Sequence, residues 1–225
     1  MKYTLAFDVY GTLINISGVF DSLEQMIGDK AKMFMDTWRS KQLEYSVRRG
    51  LMNKYADFSV CTKDSLEFCC QMFKTDLAGS QKEALMDEYS VLPVFADVKA
   101  GLKNLKESGH KLFAFSNGSK KAVSKLLTNA KIIDIFDDIV SVENQKTFKP
   151  SPLVYKHFND ETNSTKSDSW LISSNSFDVI GAISYGMRAA WVQRSQDSIF
   201  DPWGIEPTTI INQLTDLSLK LEMKE

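Results

Sequence analysis

Two histidines and three cysteines are all that the 225 residues offer to a metal site built on imidazole and thiolate, and neither set is spaced for one. His110 and His157 lie far apart with no cysteine near either, while Cys61, Cys69 and Cys70 form no CxxC pair and no even-numbered disulfide framework. A zinc site built on His and Cys is therefore not expected, and reduced thiols fit a cytoplasmic protein. An excess of charge is missing too. Lys and Arg number 27 against 29 Asp and Glu, a net charge of −2, so the footprint of a nucleic-acid or anionic-membrane binder is absent. Any anion must be held by a local site. Long apolar runs are lacking: the opening MKYTLAF meets Asp8, too soon for a signal peptide or a membrane span. No GxSxG elbow occurs, and neither histidine neighbours a candidate nucleophile, which argues against a serine hydrolase. Repeats and low-complexity tracts are absent.

What is present is a globular composition, 43% hydrophobic, over a length that suits one large domain plus an insertion. Residues 3–8 (YTLAFD) read as a buried strand ending in an acid and a Gly turn. From about 20 to 90 apolar residues recur at helical spacing (Phe34, Trp38, Tyr45, Met72, Phe73), predicting several helices and no strand. Met26, Met33, Met35 and Met52 are expected to fill core and interface there. Beyond Pro93 the pattern alternates. Helices are predicted near 97–108, 119–130, 152–159 and 177–186, and strands at 112–116, 138–141, 169–174 and 189–193. The polar stretch 159–169 reads as a surface loop. Such alternation implies an α/β fold, a Rossmann-like parallel sheet flanked by helices, with an inserted helical cap. The expected division is a catalytic core of residues 1–16 plus 93–225 and a cap of 17–92.

In an open parallel sheet, ligands bind beyond the carboxyl ends of the strands. The residues that follow the predicted strands are Asp8, Tyr10, Gly11 and Thr12; Ser116, Asn117, Gly118 and Ser119; Lys149 and Pro150; and Ser173, Ser174, Asn175 and Asp178. Singly, each reads as a turn residue, a helix cap or a solvated charge. Together, an acid, hydroxyl and amide donors, a lysine and a second acid at successive strand ends suggest nucleophilic catalysis by a carboxylate. Asp8 is the candidate nucleophile, Ser116 and Asn117 an anion seat, and Asp178 the group that positions or activates a water.

The strings FDVYGTL, SNGS, the Lys149-Pro150 pair and SSNSFD together resemble the four motifs of the haloacid dehalogenase superfamily across the whole chain. Most of that superfamily transfers phosphoryl groups, with a general acid two residues after the nucleophile and a magnesium-binding acid in the fourth motif. Here Tyr10 and Ser173 stand at those positions. Both substitutions match one branch, the (S)-2-haloacid dehalogenases, with its Asp-x-Tyr-Gly-Thr first motif and Ser-x-Asn-x-x-Asp fourth motif. The segment WRSKQLEYSVRRGLMNKYADF at 38–58 is similar to that branch's cap segment, which places its halide-binding arginine at Arg39.

The resemblance implies hydrolysis of short (S)-2-haloalkanoic acids to (R)-2-hydroxyalkanoic acids. Asp8 attacks the α-carbon with inversion, Arg39 receives the halide, and Ser116, Asn117 and the backbone near Tyr10 seat the substrate carboxylate. Water held by Asp178 and Asn175 then opens the aspartyl ester. Lys149 and Ser173 hold the Asp8 carboxylate, Thr12 bonds to it, and Lys149 supplies the charge that magnesium supplies in phosphatases, so neither cofactor nor metal is required. Tyr10, Phe58, Tyr155 and Phe177 line or border the pocket. Ser40 and Phe177 depart from the branch, which often has Gln and Trp there, and bear on pocket size. The implied partners are the 2-haloacid substrate, the halide product and a second copy in a homodimer, with no nucleic acid and no membrane. Two readings stand beside this one. A magnesium-dependent phosphatase is opposed by Tyr10 and Ser173, and a non-catalytic binding protein on the same scaffold is opposed by the complete set Asp8, Arg39, Lys149 and Asp178.

Overall fold

The computed structural model describes residues 2–222. A six-stranded sheet forms its centre, in the order β3-β2-β1-β4-β5-β6, with every neighbouring pair parallel. The strands are β1 (Thr4–Asp8), β2 (Lys111–Ser116), β3 (Asp138–Ser141), β4 (Ser169–Ser173), β5 (Arg188–Val192) and β6 (Thr209–Ile211). Strand order reverses about β1, so β1 is flanked by β2 and β4 and its carboxyl end opens on the crevice where open α/β sheets bind ligands.

Both faces of the sheet are covered, and the strand sequences show why. Leu5 and Phe7 enter one apolar cluster with Leu112, Ala114, Trp170 and Ile172; Ala6 enters the other with Phe113, Phe115 and Leu171. Alternate residues serve opposite faces, so a strand buried on both reads as an uninterrupted apolar run. The parallel register aligns Leu5 with Leu112 and Ala6 with Phe113, which keeps each face continuous. Truncating a residue such as Phe7, with no exposed surface, to Ala costs about 3–5 kcal/mol.

Helices α1 (Phe20–Ile27), α2 (Ala31–Leu51), α3 (Phe58–Phe73) and α4 (Gly79–Tyr89) follow β1. Phe34, Trp38, Leu66, Cys69 and Leu85 are buried among them. Asp57 starts α3 by accepting the Ser59 N–H at 2.8 Å, and Lys74, in the left-handed region, ends it. The sheet region continues with α5 (Val98–Glu107), α6 (Lys120–Asn129), α7 (Pro152–Thr162), α8 (Ser176–Tyr185) and α9 (Leu217–Glu222).

Two expectations are corrected. A sixth strand, β6, and α9 lie beyond the last predicted element; β6 is a three-residue edge strand with Ile210 exposed, too short and too mixed to announce itself. Residues 159–169 are not simply a surface loop. Helix α7 runs on to Thr162, and buried Asn159 donates to the Ser169 hydroxyl at 2.7 Å and to that of Ser164 at 2.9 Å, so its polar residues satisfy one another inside. Of the four methionines, Met26 and Met35 pack against the core, whereas Met33 and Met52 are exposed.

Candidate active site

Asp8 closes β1 and is almost fully buried. The chain then turns through Gly11, whose φ of 86° suits glycine and puts Thr12 back over the strand end. Thr12 Oγ1 donates to Asp8 Oδ2 at 2.8 Å and itself accepts the Ser174 N–H at 2.8 Å. Asn175 Nδ2 gives that same Asp8 oxygen a second donor at 2.8 Å. The other oxygen, Oδ1, faces Lys149 Nζ at 3.2 Å. Three strand-end loops thus meet on one carboxylate.

Lys149 is 2% exposed, and its ammonium is shared between Asp8, Asp178 Oδ2 at 2.9 Å and the Phe115 carbonyl at 2.9 Å. It also lies 4.1 Å from the centre of the Phe115 ring. Tyr155 donates its hydroxyl to Asp178 Oδ1 at 2.7 Å. Gly181 permits this approach, because a Cβ there would stand 2.5 Å from the Tyr155 oxygen. One ammonium between two carboxylates leaves the cluster with one net negative charge. Burial, and then repulsion from Asp8, raises the Asp178 carboxyl above the ordinary range against the opposing pull of Lys149. Burial by itself lowers the Lys149 ammonium, but the two carboxylates outweigh it and hold it above its usual value. Asp178 also occupies the first turn of α8, where the helix dipole favours negative charge.

From the cap side, Arg39 of α2 reaches over this rim. Its Nη2 donates to the Tyr10 carbonyl at 3.2 Å and to Asn175 Oδ1 at 3.4 Å, and its Nη1 donates to Gln42 Oε1 at 2.7 Å. The Tyr10 ring stacks on Tyr89 at 5.8 Å and lies 6.0 Å from Phe58. Burial, reinforced by Tyr89, pushes the Tyr10 phenol far above its ordinary value, so it stays protonated and neutral. Phe177 borders an apolar cleft of about 460 Å³ with Leu43, Val47, Pro150 and Trp203.

Asp8, Tyr10, Thr12, Arg39, Phe58, Lys149, Tyr155, Asn175 and Asp178 are therefore brought together, and Asn117 joins them by accepting the Lys149 N–H at 3.0 Å. Other expectations change. Ser173 is fully buried and its Oγ accepts the Asn175 N–H at 3.1 Å, which shapes the fourth loop; it is Asn175 that donates to Asp8. Asn175 does not pair with Asp178, whose two oxygens are taken by Lys149 and Tyr155. Ser116 keeps its place at the rim: its Oγ accepts the Gly118 N–H at 3.1 Å, which leaves the hydroxyl proton to donate. Ser40 is exposed on α2, one residue round the helix from Arg39. Sequence reasoning missed Gln42, and it left Ser174 out of the site, although Ser174 holds both Thr12 and, through its hydroxyl at 2.8 Å, the Gly11 carbonyl. It also missed Arg194, which donates to the Thr12 carbonyl at 2.6 Å while bonded twice at 2.8 Å to Asp97. For Gln42 a signal existed in its three-residue spacing from Arg39.

A magnesium ion of the superfamily's phosphotransferase type does not fit these donors. Hard oxygen ligands are required, yet the position of the magnesium-binding acid holds Ser173, and an ammonium lies against Asp8 and Asp178.

The family model for haloacid dehalogenase-like hydrolases matches residues 5–192. The chain belongs to this family. Similar to this haloacid dehalogenase-like hydrolase is an (S)-2-haloacid dehalogenase of Pseudomonas putida, 32% identical over 214 residues that cover 95% of this chain and 94% of the relative. A haloacetate dehalogenase of Moraxella sp. (strain B) is 32% identical over 203 residues, 90% of each chain. The solved structure of L-2-haloacid dehalogenase from Xanthobacter autotrophicus with chloropropionic acid covalently bound superposes with a TM-score of 0.90 at 28% identity, over 100% of both chains.

Proposed function

We propose that the protein hydrolyses short (S)-2-haloalkanoic acids to (R)-2-hydroxyalkanoic acids through an ester on Asp8. The observation that carries this reading is the position of Arg39: a cap-side guanidinium bonded to the Tyr10 carbonyl and to Asn175, the residue that also bonds Asp8. A nucleophilic carboxylate and a cation for the departing group thus share one rim. Residues 17–92 act as the cap and residues 1–16 plus 93–225 as the catalytic core.

An Asp8 carboxylate oxygen attacks C2 of the substrate; the new C–O bond forms as the carbon–halogen bond breaks, and the halide leaves with the bonding pair toward Arg39. Lys149, Thr12 and Asn175 aim the carboxylate by fixing both its oxygens. The substrate carboxylate is seated by Ser116, Asn117 and backbone N–H groups. The aromatic wall of Tyr10, Phe58 and Phe177 keeps water from the displacement. Water then attacks the Asp8 carbonyl carbon and gives its proton to Asp178, whose raised carboxyl suits it as base. The bond from the Asp8 carbonyl carbon to the ester oxygen then breaks, that oxygen takes the second proton of the attacking water, and the 2-hydroxy acid departs with C2 inverted while Asp8 carries an oxygen from water and Asp178 returns its proton to solvent. The chemistry runs on the charge of Lys149 and needs no metal step.

Exposed apolar residues on α2 and α3, Met33, Leu51 and Met72, support a homodimer formed partly through the cap, and three free buried cysteines support a cytoplasmic location. Among the described residues no helix is long and apolar enough to cross a membrane.

The deciding experiment is halide release from racemic 2-chloropropionate with chelator present, followed by chiral analysis. Release that stops at half the substrate and leaves (R)-lactate is the expected result. No chloride, with phosphate freed from small phosphate esters once magnesium is added, would overturn it.

A further inference from the structure

Gln42 is 1% exposed, in the cap, and none of the chemistry above uses it. A buried amide has four hydrogen-bonding positions, and three of them are filled here in a directed way. The Thr62 hydroxyl commits its proton to the Phe58 carbonyl at 3.0 Å, so its oxygen has only lone pairs to offer. Gln42 Nε2 donates to that oxygen at 2.6 Å. The Thr62 backbone is fixed in turn by the Trp38 indole N–H, 2.8 Å from its carbonyl. With the NH₂ end so placed, Oε1 faces the opposite way, where it accepts from Arg39 Nη1 at 2.7 Å and from the Tyr89 hydroxyl at 3.2 Å.

The character of the acceptors matters as much as their positions. Gln42 Oε1, the Tyr10 carbonyl and Asn175 Oδ1 are all neutral amide oxygens. They orient the planar guanidinium without cancelling its charge, whereas a carboxylate at any of the three places would satisfy the same N–H and neutralise the cation. The Nη1 edge is tied to the cap and the Nη2 edge to the core, so Gln42 also decides how far the guanidinium swings between the two.

We infer that Gln42 is a positioning residue for leaving-group stabilisation: it fixes the Arg39 guanidinium, with its charge undiminished, over the carbon–halogen bond that Asp8 displaces. The inference rests on the dehalogenase reading of the site and adds to it a residue that touches neither substrate nor nucleophile.

The test compares wild type with Gln42→Glu, Gln42→Met and Thr62→Val, using 2-chloropropionate and 2-bromopropionate. Two quantities are read: the bromide-to-chloride ratio of kcat, and the product-inhibition constant of added bromide. Chloride is the poorer leaving group and depends more on the cation. Gln42→Glu retains shape and the Oε1 acceptor but supplies a charge; it is expected to widen the ratio by about tenfold or more and to weaken bromide inhibition comparably. Gln42→Met, which loses the acceptor at similar volume, shifts both in the same direction, and Thr62→Val, which frees the NH₂ end, shifts them less. A merely structural Gln42 would lower turnover of both substrates alike. The inference is overturned if folded Gln42→Glu keeps the wild-type ratio and bromide constant, or, should that variant not fold, if Thr62→Val keeps them. A wild type that releases no halide sinks the dehalogenase reading itself; an active wild type with unmoved variants sinks only the role of Gln42.

Discussion

Replacing Lys149 by Met removes a buried ammonium while keeping most of its aliphatic stem, and the structure allows the loss to be divided. Nζ serves two carboxylates, at 3.2 Å and 2.9 Å, and one carbonyl, at 2.9 Å. Stripping the Phe115 carbonyl of its donor costs about 1–3 kcal/mol at any pH. Breaking a buried ion pair from one side costs about 3–5 kcal/mol in total, because the remaining charge is left uncompensated. Here the remainder includes Asp178, fully buried, and it escapes the penalty by binding a proton. Lys149 holds the Asp178 carboxyl down, so its removal raises that carboxyl further above its unfolded value. A carboxyl raised in the folded state contributes full stability below the unfolded value of about 3.9 and loses it as pH climbs through the folded value. The deficit of Lys149→Met relative to wild type is therefore expected to be larger by about 2 kcal/mol near pH 7.5 than near pH 4.5, where chiefly the cost at the Phe115 carbonyl remains. Urea unfolding at the two pH values reads this directly, since that difference moves the midpoint by about 1 M. A deficit equal at both would show that Lys149 acts through packing and the Phe115 carbonyl alone, and the account of the shared charge would be wrong.

Asp8→Asn is expected to abolish steady-state halide release while leaving the far-ultraviolet dichroism unchanged, and Asp178→Asn to release about one halide per site and then stop with the substrate's carboxyalkyl mass attached to the chain; turnover by freshly purified Asp8→Asn would remove Asp8 as nucleophile. Gly181→Ala forces a Cβ to within 2.5 Å of the Tyr155 hydroxyl. It should destabilise the fold by about 1–3 kcal/mol and slow the ester-opening step more than the halide burst, measured by denaturation and rapid quench; unaltered stability and kinetics would mean that Tyr155 is not held where the geometry places it.

Much of the site was legible because its residues sit in runs whose chemistry is local. FDVYGTL announces a strand, an acid and a turn that needs Gly11, and Asn175 and Asp178 lie three apart at the start of a helix, so their placement at the same end of it follows from helical spacing. The parallel alternation after Pro93 gave the sheet, and the order of the strand ends gave the rim. What escaped was set by contacts between distant segments. Thr62 and Tyr89 come to Gln42 from α3 and α4, and no local pattern marks a buried amide that two helices must satisfy. Ser173 and Ser174 were interchangeable as letters; only the twist of the loop after β4 sends the Ser174 N–H to Thr12 and turns the Ser173 hydroxyl to Asn175.

The sequence by itself determined the fold class, the parallel sheet with helices inserted after the first strand, and the chemical types gathered at the strand ends, because periodicity and turn chemistry act over a few residues. The tertiary structure alone decided which oxygen of Asp8 each donor reaches, that Lys149 serves two acids at once, and that three neutral oxygens direct Arg39. Those outcomes depend on distances of about 3 Å between segments far apart in the chain, where burial strengthens each charge and confines each donor to the few partners within reach.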